Sequence, residues 1–190
     1  MLFILKFTAA FIVFIFIAVA ISLNKQISGL KDGLRVINRF LLARYRALIE
    51  LLNILKIHMI NETDKINSLI SLLNEYIEKN QATLDMSQML KGENSINKLL
   101  EDIKDKMQNY DGIYENPEIA DAISKVQEEE NTVGLAIQTY NNLFNQVQTN
   151  FESFPASLIA SIMNKSNPYK LFIVDSADEL DDNYVDADEI

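Results

Sequence analysis

Cysteine is absent from the 190-residue chain, which excludes disulfide frameworks, thiolate zinc sites and cysteine nucleophiles. Tryptophan is absent too, and there is one histidine, His58. A single imidazole is too few for a di-iron bundle site, which takes Glu-x-x-His from two helices, and the residue three before His58 is Leu55. Serine catalysis lacks its Gly-x-Ser-x-Gly elbow. With five glycines in all, no Gly-rich loop is available to cradle phosphate. Basic residues are outnumbered 17 to 27, and no basic face accumulates to meet a nucleic-acid backbone. Carboxylates do cluster, as in Glu128-Glu129-Glu130, but a solvated helix face accounts for them. The inventory predicts a non-enzyme with no catalytic residue, cofactor or metal.

What is abundant is apolar sequence with helical spacing. Leu2 to Leu23 holds a single charge, Lys6. At ~1.5 Å per residue these 22 residues span roughly 30 Å, the thickness of a bilayer hydrocarbon core. A cleaved signal peptide is the competing reading, supported by Ala18-Val19-Ala20 as a small-x-small cleavage site. Lys25, Lys31, Arg35 and Arg39 follow at once and suit a stop-transfer flank, so a transmembrane anchor over 1–24 is the expectation. By the positive-inside rule these four charges put the N-terminus outside and the domain in the cytoplasm, as a single-pass protein of the inner membrane.

Three further helices and a long fourth are expected behind the anchor, over 25–164. Helix one steps by three and four through Ile27, Leu30, Leu34, Ile37, Leu41, Arg44, Leu48, Leu51 and Leu55, with a bent joint expected at Gly29 and Gly33. Asn61 reads as the cap of helix two, Gly92 as a stop, and Asn94 as the start of helix three. Pro117 suits the first turn of helix four, whose seam runs from Ile119 through Val126, Val133, Tyr140 and Val147 to Phe154. One such seam cannot bury itself, so an all-α fold is expected: an N-terminal transmembrane helix leading into a long antiparallel four-helix bundle. Phe154-Pro155 closes helix four, and a short apolar helix follows from Ala156 to Met163. The 165–190 segment, rich in acids, has too little apolar surface to fold alone and is expected to be a disordered tail.

Two seam positions carry charge. Arg44 on helix one and Glu130 on helix four fall at similar heights in an up-down-up-down bundle, which leaves two readings: a salt bridge between them that fixes register, or two side chains that snorkel separately to a groove edge. The cluster of Phe151, Phe154, Leu158, Ile159 and Ile162 has two readings: a turn lying at the lipid interface, or one folded back to cap the bundle.

The fourth helix also carries a recognisable pattern. Glu130-Asn131-x-Val133-x-x-Ala136, then Tyr140-Asn141, then Phe154-Pro155, resembles the LemA family of membrane-anchored bacterial helical proteins. That family has Glu-Asn-x-Ile-Ala-x-Ala-Arg-x-x-Tyr-Asn, a second Tyr-Asn seven residues on, and Phe-Pro. Here Gly134 replaces an Ala, Ile137 the Arg, and Val147-Gln148 the second Tyr-Asn. Leu41, Arg44-Tyr45 and Leu48 are similar to an upstream basic-Tyr stretch, with Ile49 at its usual Pro, and Asn167-Pro168-Tyr169 is similar to a Pro-Tyr near the family's C-terminus. The likeness covers about residues 25–172. It implies a helical bundle behind one membrane helix and no known reaction; some relatives act in membrane organisation and others are encoded beside membrane metalloproteases. It singles out Arg44, Tyr45, Glu130, Asn131, Tyr140, Asn141, Phe154 and Pro155 as structural or interaction candidates. The expected partners are the lipid bilayer, a membrane or cytoplasmic protein, or a second copy of the chain. The expected role is a scaffold or adaptor; the alternative is a regulatory subunit of a membrane enzyme such as a metalloprotease.

Overall fold

The computed structural model describes residues 2–163 and 166–174. Among these residues there are five α-helices and no strand: α1 Leu2–His58, α2 Thr63–Ala82, α3 Met86–Met107, α4 Pro117–Glu152 and α5 Ala156–Ile162. Short 3-10 turns at Ile60–Glu62 and Ile113–Glu115 lead into α2 and α4. The chain divides into two compact units. One takes the residues up to Leu41 with Glu129–Phe172, and the other takes Leu42–Glu128 with the residues from Ile173 onward.

In the first unit α1 changes character along its length. Phe3, Phe7, Phe11, Phe14, Ile17 and Ile21 all turn outward, whereas Leu30, Leu34, Ile37 and Leu41 are buried. This N-terminal stretch is the one part of the described chain long and apolar enough to cross a membrane, by length and composition. Val133, Tyr140, Val147 and Phe151 of α4 are buried in the same unit. The two helices meet at Gln26 with Asn150, where the Asn150 amide donates to the Gln26 side-chain carbonyl at 3.0 Å, and again at Gly29 with Leu143 and Gly33 with Tyr140.

The joint expected at Gly29 and Gly33 does not form: α1 runs unbroken to His58. The glycines serve close packing instead. A Cβ on Gly33 would stand 3.0 Å from the Tyr140 ring, so a bare Cα there is what lets the tyrosine lie against α1.

In the second unit α2 and α3 form a helical hairpin. Its start departs from the expected cap: Asn61 sits in the 3-10 turn, and the Thr63 hydroxyl donates to the Ile60 carbonyl at 2.8 Å. Nor does Gly92 stop a helix. α3 begins six residues earlier at Met86, because Asp85 caps it by accepting from the Ser87 and Gln88 amides at 2.8 and 3.3 Å. Gly92 lies inside α3, buried, where an added Cβ would come within 2.8 Å of the Tyr76 ring on α2. Lys65 and Asp102 bridge the same two helices at 2.7 Å. Pro117 opens α4 as expected, with the Asn116 side chain accepting from the amides of Glu118 and Ile119. His58 ends α1, its Nε2 lying 3.3 Å from the Asn116 amide nitrogen.

Candidate interaction sites

Arg44 lies in the second unit and is buried, as is its neighbour Tyr45. Its guanidinium donates to the Glu93 carboxylate at 2.5 Å and to the Asn97 side-chain carbonyl at 2.9 Å. Glu93 is buried too, so this is an ion pair inside the packed helices. Burial first, and the Glu93 charge second, hold the Tyr45 hydroxyl far above its ordinary ionisation range. Four polar side chains from α1 and α3 therefore form one internal cluster that only a single register of the two helices assembles. Glu130, half-buried on α4, belongs to the other unit, and Asn131 beside it faces outward.

Glu93 and Asn97 were not among the residues singled out from sequence, although the signal was present. Met89, Glu93, Ile96, Leu100, Ile103 and Met107 step by four and three, and all six are buried along one face of α3. Glu93 interrupts that seam as Arg44 interrupts its own. Reading Gly92 as a stop cut the seam in two and hid it.

Tyr140 and Asn141 form the second cluster, in the first unit. The Tyr140 hydroxyl donates to the Lys170 carbonyl at 2.9 Å. The Asn141 amide donates to the Phe172 carbonyl at 3.0 Å, and its carbonyl accepts the Phe172 amide at 2.8 Å. One asparagine thus meets both main-chain groups of one residue, as a neighbouring strand would. Phe172 itself is buried. Farther along, Asn167 turns on itself by accepting the Tyr169 amide at 3.1 Å, and its side chain reaches Gln148 at 3.5 Å. Segment 167–172 is therefore a strap laid back along α4, with Tyr140-Asn141 at one end and Gln148 at the other. Burial, with Tyr169 as a lesser contributor, pushes the Tyr140 hydroxyl up to about 12.

The strap moves the boundary of the expected tail. Residues 167–172 are held to α4, and the expectation of disorder for 175–190 lies outside the described residues.

The Phe151-to-Ile162 cluster splits by face. Phe151, Ala156, Ile159 and Ala160 are buried, while Phe154 is 82 % exposed, Ile162 66 % and Leu158 54 %. Pro155 is half-buried between them. An apolar groove also opens in this unit between Val36 and Phe40 of α1 and Leu135, Ala136 and Leu143 of α4. Among the described residues no group of three or more His, Asp or Glu is placed to hold a metal ion.

Set beside known proteins, residues 34–185 match the family model described as the LemA family. No curated protein and no solved structure matches the chain.

Proposed function

The chain belongs to the LemA family, and from that premise we propose that it is a single-pass membrane protein whose helical domain works as a scaffold or adaptor rather than an enzyme. The observation that carries the reading is the change along α1, where Phe3, Phe7, Phe11, Phe14, Ile17 and Ile21 face outward while Leu23, Leu30, Leu34, Ile37 and Leu41 are buried. Outward-facing phenylalanine and isoleucine in so long a run would be costly in water and favourable in lipid. Lys25, Lys31, Arg35 and Arg39 beyond it support a cytoplasmic domain.

In this reading the domain is a long antiparallel four-helix bundle. The order of the contacts within each unit supports it: in the first, Gln26, Gly29 and Gly33 meet Asn150, Leu143 and Tyr140, and in the second, Glu50 and His58 meet Lys125 and Asn116. Positions rise along α1 while they fall along α4. The apolar groove beside Leu135, itself 66 % exposed, offers a face for a helical or extended partner.

Because the chain has no cysteine, single-cysteine variants test this directly. Ser95→Cys and Ser124→Cys, both at exposed positions, are introduced into the full chain and crosslinked in native membranes. Protection from impermeant thiol reagents in intact cells, with a protein crosslinked on the cytoplasmic side, is the expected outcome. Labelling from outside the cell overturns the orientation, and the absence of any protein crosslink overturns the scaffold role. A single membrane enzyme recovered in equal amount would redirect the role to that of a regulatory subunit.

A further inference from the structure

We propose that the reversal after α4 is a second lipid contact, with Phe154, Leu158 and Ile162 seated in the interfacial layer of the bilayer that α1 crosses. The inference rests on the reading of α1 as a membrane anchor and adds a site to it.

Three observations converge. First, α5 is amphipathic in an unusual sense. Ala156, Ile159 and Ala160 face inward and cap the unit, yet the opposite face presents Leu158 and Ile162, with Phe154 beside them. A helix face turned to water would carry charge, and residues 153–164 contain none. Single exposed apolar residues are ordinary, but three large ones on one short turn form a patch that calls for a partner.

Second, the patch sits at the level where the apolar run of α1 ends. Gln26 and Asn150 are hydrogen-bonded, which ties the two helices at that height. Ile21, the last large apolar residue of the outward run, lies five residues back along α1, about 7.5 Å at ~1.5 Å per residue. α4 ends at Glu152, two residues on from Asn150 and about 3 Å by the same measure, and Phe154 follows just beyond that end. The patch therefore begins close to the level at which the outward run of α1 ends, and one apolar layer would meet both.

Third, the flanking side chains suit the boundary of a membrane. Ser153, Ser157 and Ser161 alternate with the apolar residues, and small hydroxyls tolerate the headgroup region where a charge would not sit as deeply. The structure therefore combines the two roles that the sequence left as alternatives: one face of the turn caps the helices, and the other meets lipid.

The full chain, reconstituted in phosphatidylcholine–phosphatidylglycerol vesicles, provides the test. Phe154→Cys, Leu158→Cys and Ile162→Cys are each labelled with an environment-sensitive fluorophore, with Phe14→Cys as the anchor reference. Ser161→Cys gives a fourth probe of the same turn without removing an apolar side chain, so the test survives if a larger substitution disturbs folding. Shallow spin-labelled lipids should shift emission to the blue and quench it at 154, 158, 161 and 162, and deep ones should quench position 14. Quenching at 14 with water-like emission at all the α5 positions overturns the inference and leaves the anchor standing. Blue-shifted emission at α5 that lipid fails to quench means a protein surface, a partner or a second copy, covers the patch, and this also overturns it. An unquenched position 14 removes the anchor reading and the inference with it.

Discussion

At the scale of single residues, the buried pair of Arg44 and Glu93 has the most to say. Removing one member of a buried ion pair leaves a charge without its counterpart and costs about 3–5 kcal/mol, whereas replacing both by apolar residues of similar size is often close to neutral. Arg44→Met should therefore lower the denaturant midpoint strongly, and Arg44→Met with Glu93→Met should recover much of the loss. Equilibrium unfolding of the three variants measures the coupling, and additive losses would show that the pair does not act as a unit. The tyrosines predict the alkaline limb. Tyr45 and Tyr140 are both held above their ordinary value of 10.0 in the folded chain. Their contribution is fully present below pH 10 and is lost as pH rises, because the unfolded chain releases these protons first. Tyr140's share should disappear between 10.0 and about 12. Thermal melts across that range should fall less steeply for Tyr45→Phe and Tyr140→Phe. Arg44 was legible in the sequence as a charge in an apolar seam, but its partner Glu93 was not, because the residue before it is a glycine.

At the scale of the helices, the glycines separate into those that touch something and one that does not. Gly92→Ala would drive a methyl into the Tyr76 ring, and overpacking of this kind costs about 1–3 kcal/mol, more than the roughly 1 kcal/mol that alanine returns in helix propensity. Beyond the adjoining backbone of α4 itself, nothing stands within 4 Å of where a Cβ on Gly134 would lie, so Gly134→Ala should stabilise by up to about 1 kcal/mol. Opposite signs in parallel chemical melts are the expected result. This contrast explains where the sequence reading failed. Periodicity located every helix, since a three-four apolar step is a local property. It misjudged the chain at Gly29, Gly33 and Gly92, because a glycine that breaks a helix and a glycine that admits a neighbouring side chain look alike until the neighbour is known. Asp85, a good cap with Ser87 and Gln88 behind it, was the local clue that α3 begins before Gly92.

At the scale of the whole molecule, the family match begins at residue 34, so the anchor is argued from the outward apolar face of α1 itself. Membrane pellets should retain the chain through high-salt washing and release it only with detergent; release by salt alone would mark a peripheral protein. The strap was the least legible feature. Composition alone separates 165–190 from the helices, but the segment up to Phe172 is held by contacts 19 to 31 residues distant in sequence, and no local pattern announces them. Asn141→Ala should loosen it, and limited proteolysis should then cut within 166–174 well before the helices are touched. Equal cleavage rates in the two proteins would mean that Phe172 alone holds the strap.

The way Asn141 holds the strap has a consequence for how this segment can change over time. Asparagine grips the amide and carbonyl that every residue shares, and Tyr140 grips another carbonyl. The side chains of Lys170 and Ile173 project away, exposed. Their identities are thus left open to drift, while the grip itself tolerates almost no alternative: aspartate has the size of asparagine and lacks its donor. Variation should accumulate at exposed positions 170 and 173 and stay out of Tyr140, Asn141 and the buried Phe172.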